Sequence, residues 1–259
     1  MPSLDTQRFE LHLPTRASGG GLDQDEEWCE IDVDGERRRI RLHDYAAIYD
    51  VPGLYEHLFT EMLECSSPSV VGDLLGTALS DAGVDPASLT ALDFGAGNGL
   101  VGEQVAGLGV DTIVGIDLLP EARDAALRDR PGVYEDYVAR DLSDMSRDER
   151  AALEAHDFSA MTCVAALGFG DIPPVAFAEA FNLVSSPGWI AFNLRDRFVD
   201  DGDPPGFGAF IARMFDEGVL EERARRSYTH RVSTAGEPLT YLALVATKQR
   251  DVPLEWTAP

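Results

Sequence analysis

The sequence predicts an α/β fold: a seven-stranded, mostly parallel sheet with helices on both faces and an antiparallel hairpin at its end. Three observations predict it. From Leu89 onward, short apolar runs alternate with amphipathic stretches of helical period, and such alternation implies right-handed βαβ crossovers in a sheet covered on both sides. Within Leu92-Asp93-Phe94-Gly95-Ala96-Gly97-Asn98-Gly99-Leu100-Val101-Gly102, glycines at alternating positions separate a buried strand from a helix, the arrangement that lets backbone N–H groups approach a ligand. Finally, Ala224–Val232 and Leu239–Lys248 are strand-like runs joined by Ser233-Thr234-Ala235-Gly236-Glu237-Pro238. That joint is too short for a crossover, so the two must pair antiparallel.

Ahead of the sheet, Arg8 to Leu13 alternates and reads as an edge strand. Thr15 to Glu27 is polar, carries Gly19-Gly20-Gly21 and reads as a loop. Trp28 to Val33 and Glu36 to Leu42 are alternating runs joined by Asp34-Gly35, a strong hairpin signal. One arm is acidic and the other basic, so cross-strand ion pairs are expected to help set the register. This hairpin defines an N-terminal extension, residues 1–42. The main domain, 43–259, is expected to open with a helical region, 43–66, with helices at His43–Asp50 and Leu54–Leu63. Ser67-Pro68-Ser69 then reads as a capped helix start. Val70, Val71, Leu74, Leu75 and Leu79 form the apolar stripe that should lie on the sheet.

The sheet strands are expected at Leu89–Phe94, Asp111–Asp117, Tyr134–Arg140, Phe158–Val164 and Gly188–Leu194, followed by the terminal pair with the last strand inserted beside its neighbour. Helices are expected at Leu100–Leu108, Pro120–Arg130, Arg147–Ala155, Pro174–Val184 and Gly208–Asp216. The order is that of a Rossmann-like fold.

At 259 residues the chain can bury a full core without disulfides or a structural metal. Cys29, Cys65 and Cys163 are an odd set with no ligand spacing, which reads as reduced thiols and no metal centre. No apolar run reaches membrane-spanning length, and Met1-Pro2-Ser3-Leu4-Asp5 does not open as a signal peptide. The expectation is a cytoplasmic protein with no membrane partner. The formal charge of −25, with Lys248 as the only lysine, disfavours nucleic acid as a partner because such a surface repels phosphate backbones. An acid-rich, lysine-poor chain suits a high-salt cytoplasm, and an arginine-favouring GC-rich genome produces the same bias.

The glycine stretch admits two parses. Asp93 with Gly95, Gly97 and Gly99 gives D-x-G-x-G-x-G, whereas Gly97, Gly99 and Gly102 give G-x-G-x-x-G, the dinucleotide pattern. Under either parse Asp117, ending the next strand, is the carboxylate that accepts from ribose hydroxyls. Three features favour S-adenosylmethionine over a nicotinamide cofactor. Asp93 directly precedes the glycines, placed to organise the loop and meet a cationic methionine end. Asp141 closes the third strand, where a carboxylate can accept from an adenine amino group. The terminal hairpin closes the sheet and leaves no second large domain for dehydrogenase chemistry. Singly, each of these residues is explained by a turn, a helix cap or a solvated carboxylate; their occurrence after successive strands is what points to a ligand.

With Leu92-Asp93-Phe94-Gly95-Ala96-Gly97-Asn98-Gly99, Gly115-Ile116-Asp117-Leu118 and Ala139-Arg140-Asp141-Leu142 in place, the chain resembles the class I S-adenosylmethionine-dependent methyltransferases from about Ser67 to Arg250. The resemblance implies that Gly95, Ala96, Gly97, Asn98 and Gly99 face the methionine and ribose of the cofactor. It likewise implies that Asp117 takes the ribose diol, that Leu118 packs on the adenine, and that Asp141 with Leu142 sits at its amino group. Val164 to Leu167 would line the transfer site, and Tyr49 would close over the cofactor from a lid helix. The segment Cys163-Val164-Ala165-Ala166-Leu167-Gly168-Phe169-Gly170-Asp171-Ile172-Pro173-Pro174 lacks the Asn/Asp-Pro-Pro-aromatic motif of amino-methylating members and the aspartate pair of magnesium-dependent ones. It is more similar to the Williams–Beuren-region methyltransferase-like group.

These readings imply an enzyme that moves a methyl group to a small-molecule acceptor by in-line displacement. Protein methylation stays open, since an acidic surface attracts basic proteins. The alternatives are an NAD-dependent oxidoreductase and a non-catalytic S-adenosylmethionine-binding module. Tyr45, Leu167, Phe169, Arg195 and Arg197 are the acceptor-side candidates: Tyr45 and Tyr49 share a helical face, and the two arginines either clamp an acceptor carboxylate or pair with neighbouring aspartates. No general base is nominated beyond His57 and His230, which packing explains equally. If the charge is an adaptation to salt, the thermal midpoint should rise between dilute buffer and molar salt as screening relieves self-repulsion; a midpoint that stays level would assign the bias to codon usage.

Overall fold

The computed structural model describes residues 9–14, 22–33, 35–167, 171–196 and 207–257. The chain divides into two compact units, one of Met1–Ser66 with Thr229–Leu239 and the other of Ser67–Tyr228 with Thr240–Pro259.

In the smaller unit, β1 (Phe9–His12), β2 (Trp28–Val33) and β3 (Glu36–Arg41) form an antiparallel sheet in that order. The acidic and basic arms face each other as their charges require: Glu30 stands opposite Arg39 and Asp32 opposite Arg37, with N–O distances of 3.0 and 2.7 Å. These exposed pairs contribute little energy, but a slip of one residue would separate them. Arg39 also lies over the Trp28 ring, 3.7 Å from its centroid. Helix α1 (Tyr45–Tyr49) is capped by Asp44. The expected α-helix over Leu54–Leu63 is instead a π-helix, Glu56–Met62, in which Leu63 N–H donates to Leu58 O at 3.0 Å. The wider turn stacks Leu54, Leu58 and Leu63, spaced four and five residues apart, into one buried stripe with Ile31, Ile40, Leu42 and Ile48.

The tip of the terminal hairpin belongs to this unit and is tied into it by a buried ion pair. Arg231 Nη2 donates to Glu27 Oε2 at 2.5 Å with both side chains 2% exposed, and the Thr234 N–H donates to the other Glu27 oxygen. Val232 N–H bonds to Leu63 O, and Ser66 N–H to His230 O.

The larger unit holds the seven-stranded sheet: β4 (Thr90–Phe94), β5 (Thr112–Asp117), β6 (Asp136–Ala139), β7 (Ala160–Cys163), β8 (Gly188–Arg195), β9 (Leu220–Val232) and β10 (Pro238–Lys248). The spatial order is β6-β5-β4-β7-β8-β10-β9. Strands β4 to β8 run parallel. The last strand inserts antiparallel against β8, from Tyr241 opposite Arg195 to Lys248 opposite Gly188, as the sequence predicts. Helices α2 (Ser67–Asp81), α3 (Leu100–Gly107), α4 (Pro120–Asp129), α5 (Arg147–Glu154), α6 (Pro174–Asn182) and α7 (Phe207–Asp216) accompany it. One face carries a core of Val71, Leu74, Leu75 and Leu79 from α2 on Ala91, Ile113, Ala191 and Val245. The other packs Phe177, Phe181, Phe210 and Met214 on Leu92, Ile116, Met161 and Phe192. Gly72 and Gly76 let α2 lie close to α3, since a Cβ at either would meet Gln104 or Leu108 within 3.0 Å.

The chain's only lysine lies inside: fully buried Lys248 donates to Phe181 O in the last turn of α6 at 3.0 Å and to Val184 O just beyond it, and pairs with Asp251. None of the three cysteines forms a disulfide, and Cys29 and Cys163 are buried. Among the described residues no helix is long and apolar enough to cross a membrane.

Removing one member of the Glu27–Arg231 pair strands a buried charge. Glu27→Ala or Arg231→Ala should therefore lower the unfolding free energy of the smaller unit by about 3–5 kcal/mol, whereas replacing both by apolar residues of similar size should recover most of it. Urea unfolding of the three variants checks this; equal losses in single and double variants would contradict it.

Candidate active site

The glycine loop leaves β4 in a conformation that needs glycine. Gly95, Gly97 and Gly99 all have positive φ, at 73°, 54° and 90°, where other L-residues are strained. This is the D-x-G-x-G-x-G parse. Gly102 lies inside α3, and its lack of a side chain serves packing: a Cβ there would come within 2.5 Å of the Tyr134 hydroxyl.

The loop is pinned from β5. Gly95 and Ala96 N–H groups donate to Ile116 O at 2.8 and 3.1 Å. Gly97 N–H donates to Asp117 Oδ2 at 2.9 Å, while Leu119 N–H donates to Asp117 Oδ1 at 3.0 Å. Burial raises the Asp117 carboxyl above its ordinary value, and these backbone donors work in the opposite direction.

Two tyrosines brace the loop from beneath. Tyr137 on β6 donates its hydroxyl to Gly97 O at 2.7 Å. Tyr134 precedes β6, which begins only at Asp136, and donates to Asp93 Oδ2 at 2.7 Å. Thr162 on β7 donates to the other Asp93 oxygen at 2.7 Å. Gly115 makes room for both rings, since a Cβ there would lie 2.7 Å from Tyr137 and 3.1 Å from Tyr134. Burial keeps both phenols protonated and hence donors. Asp93 itself is 1% exposed, and burial pushes its carboxyl up to about 6 against the opposing pull of Tyr134 and Thr162. Its side-chain partners are on β7 and before β6. Neither tyrosine was singled out as a site residue. The signal was Gly102 and Gly115 standing where ordinary side chains would fit the pattern, but their partners lie 32 and 22 residues on.

The other expected positions fall as follows. Asn98 is buried, and its carbonyl accepts from Arg130 Nη1 at 3.0 Å. Leu118 is 58% exposed beside Asp117. Asp141 is exposed and accepts from Ser143 N–H and Oγ at 2.8 and 2.7 Å, which hold its carboxyl below the usual range. Leu142 turns into the sheet core. Val164 and Leu167 are buried after β7. Between them Ala165 has φ of +56°, a conformation costing a non-glycine residue about 1–2 kcal/mol. Arg195 is half-buried at the end of β8.

Tyr45, Tyr49, His57 and His230 lie in the smaller unit. Tyr45, Tyr49, Tyr55 and Phe59 form a ladder of rings with neighbouring centroids 4.7–6.1 Å apart. His57 Nδ1 is 2.6 Å from Glu61, one turn along the helix. Buried His230 lies 3.8 Å from Cys65 Sγ. Phe169 and Arg197 lie outside the described residues, as do most of the glycine- and proline-rich residues before α7.

Residues 92–192 match the family model described as "Methyltransferase domain". Ubiquinone biosynthesis O-methyltransferase from Paraburkholderia phytofirmans is 32% identical over 140 residues, 54% of this chain and 59% of the relative. The protein of the same name from Thiobacillus denitrificans is 33% identical over 106 residues, 41% and 44% of the two chains. The chain thus matches about half the length of these curated relatives. Among solved structures, the N-methyltransferase NodS from Bradyrhizobium japonicum, in complex with S-adenosylhomocysteine, shares the fold. Its TM-score is 0.52 at 15% identity, covering 80% of this chain and 97% of that one. Sheet order and glycine loop together define a Rossmann-like α/β fold, within which residues 92–192 match a methyltransferase domain. The chain is thus similar to methyltransferases over about half of its length and to NodS in fold.

The raised carboxyl of Asp93 makes a signed prediction. The folded state binds the Asp93 proton more tightly than the unfolded chain, whose value is near 3.8. Its contribution to stability is therefore complete below about pH 3 and is lost as pH rises through about 6, a difference of about 3 kcal/mol. Relative to Asp93→Asn, the wild-type unfolding free energy should fall by that amount between about pH 3 and pH 7. A difference that stays flat over this range would show that Asp93 does not titrate there.

Proposed function

We propose that the chain binds S-adenosylmethionine at the glycine loop and transfers its methyl group to a small-molecule acceptor. The observation that carries this reading is Asp117. A carboxylate offers about four acceptor sites, and the Gly97 and Leu119 N–H groups take one on each oxygen, leaving capacity for the two hydroxyls of a ribose. Such charge-assisted bonds are worth about 1.5–3 kcal/mol each. The three left-handed glycines leave the loop free of side chains where a Cβ would intrude; at Gly95 it would stand 2.8 Å from Ala166 and 3.4 Å from Ile172. Exposed Leu118 offers an apolar platform beside Asp117, and Asp141 a carboxylate for an adenine amino group.

When bound, S-adenosylmethionine supplies a methyl group already activated by its sulfonium. The protein's share is then to hold donor and acceptor in line and keep water out, which provides about 7–11 kcal/mol of barrier reduction without a general base. In this reading Gly95, Ala96, Gly97, Asn98 and Gly99 line the methionine and ribose, held by Asp93 from below. Val164 and Leu167 border the transfer position and Arg195 the acceptor side. The relatives' name, ubiquinone biosynthesis O-methyltransferase, supports an oxygen of a small molecule as the acceptor, and a charge of −25 argues against a polyanion. Three cysteines outside any disulfide are in keeping with work in the cytoplasm.

Titration calorimetry with S-adenosylhomocysteine and with NAD separates this reading from an oxidoreductase: the first should bind and the second should not. Asp117→Ala should weaken S-adenosylhomocysteine about tenfold or more, the loss of one charge-assisted bond. Unchanged affinity would remove Asp117 from the ribose, and NAD binding alone would overturn the proposal.

A further inference from the structure

We propose that Asn193 is a positioning residue that holds Ala165 in its left-handed conformation and so sets the wall of the cofactor pocket against Gly95. The inference rests on the function proposed above. Asn193 sits on β8, fully buried, one residue past the Cys163–Phe192 pair that aligns β8 with β7. Its side chain is therefore level with the start of the loop after β7. Asn193 Oδ1 accepts from Ala165 N–H at 2.6 Å. Its Nδ2 donates to Tyr228 OH at 2.7 Å and to Ser67 Oγ at 3.0 Å, and these two hydroxyls lie 2.6 Å apart.

An amide is the group this place needs. Its oxygen must accept from a backbone N–H while its nitrogen donates to hydroxyl oxygens, and no apolar side chain does either. The amide is in turn oriented by β9 through Tyr228 and by the first residue of α2 through Ser67, so three elements fix one backbone N–H. That N–H belongs to a residue whose backbone an alanine does not adopt unaided; such conformations persist where the surroundings over-determine them. The next residue, Ala166, abuts the cofactor loop: its Cβ occupies the space a side chain on Gly95 would need, at 2.8 Å. If Ala165 relaxed to ordinary φ, Ala166 would swing away from Gly95 and the pocket would lose that wall. Thr162, earlier on β7, holds Asp93 under the same loop, so the end of β7 supports the loop on two sides.

The test is a cycle of wild type, Asn193→Ala, Ala165→Gly and the double variant, read by calorimetric affinity for S-adenosylhomocysteine, with a melting curve to establish folding. Glycine adopts positive φ without help, so Ala165→Gly removes the need for the amide. Asn193→Ala should bind S-adenosylhomocysteine about tenfold more weakly, and in the Ala165→Gly background that loss should shrink to about threefold or less. Destabilisation unrelated to Ala165 would leave the loss unchanged there. Should Asn193→Ala fail to fold, Tyr228→Phe, which removes one hydroxyl, takes its place, with a smaller loss suppressed by the same glycine. Wild-type affinity in the Asn193 or Tyr228 variant, or a loss undiminished by Ala165→Gly, overturns the inference while leaving the function intact. A wild type that does not bind S-adenosylhomocysteine overturns the functional reading itself.

Discussion

A carboxylate buried at the end of a central strand has to be satisfied from within the protein, and the arrangement around Asp93 follows from that requirement. Water does not reach it at 1% exposure, so Tyr134 and Thr162 supply the donors. To deliver a tyrosine hydroxyl under β4, the chain before β6 must come close to α3, which is possible because position 102 is glycine. Tyr137 then reaches Gly97 O past Gly115, which lacks the side chain that would block it. The glycine loop is thus held from below by hydroxyls and from the side by Asp117 and Ile116 O. Its shape is set by the protein's own hydrogen bonds.

The same economy recurs at β7 and β8. The loop after β7 carries the strained Ala165, and the cost of that backbone is met by a buried amide with partners on two further elements. Strain of this kind clusters at functional sites because regular secondary structure does not supply the geometry a ligand wall needs. Asp93 and Asn193 are both polar groups placed in an apolar sheet, and each fixes a loop at the strands' carboxyl ends, where this fold class binds its ligands.

The smaller unit obeys a different logic. Its three-stranded sheet is short and its exposed ion pairs contribute little, so its cohesion comes from an apolar cluster and from the buried Glu27–Arg231 pair. That pair joins residues some two hundred positions apart, and for this reason the terminal hairpin tip counts with the N-terminal residues. The π-helix gathers leucines whose spacing fits neither strand nor α-helix.

The elements of the sheet, their order, the antiparallel last strand and the glycine loop were legible in the sequence, because periodicity, capping residues and turn chemistry act over a few residues and leave a local record. Gly95, Gly97, Gly99 and Asp117 were legible for the same reason: each stands at a fixed distance from a strand end. Tyr134, Tyr137 and Asn193 were not, since what distinguishes them is a partner far along the chain, brought near only when β5, β4, β7 and β8 align. The winding of Glu56–Met62 and the inward turn of Asp93 were likewise decided by tertiary packing. A leucine stripe finds its face, and a buried carboxylate its donors, only once the surrounding core exists. The sequence by itself determined which strands form and where a ligand loop must lie; the tertiary structure decided which side chains hold that loop in shape.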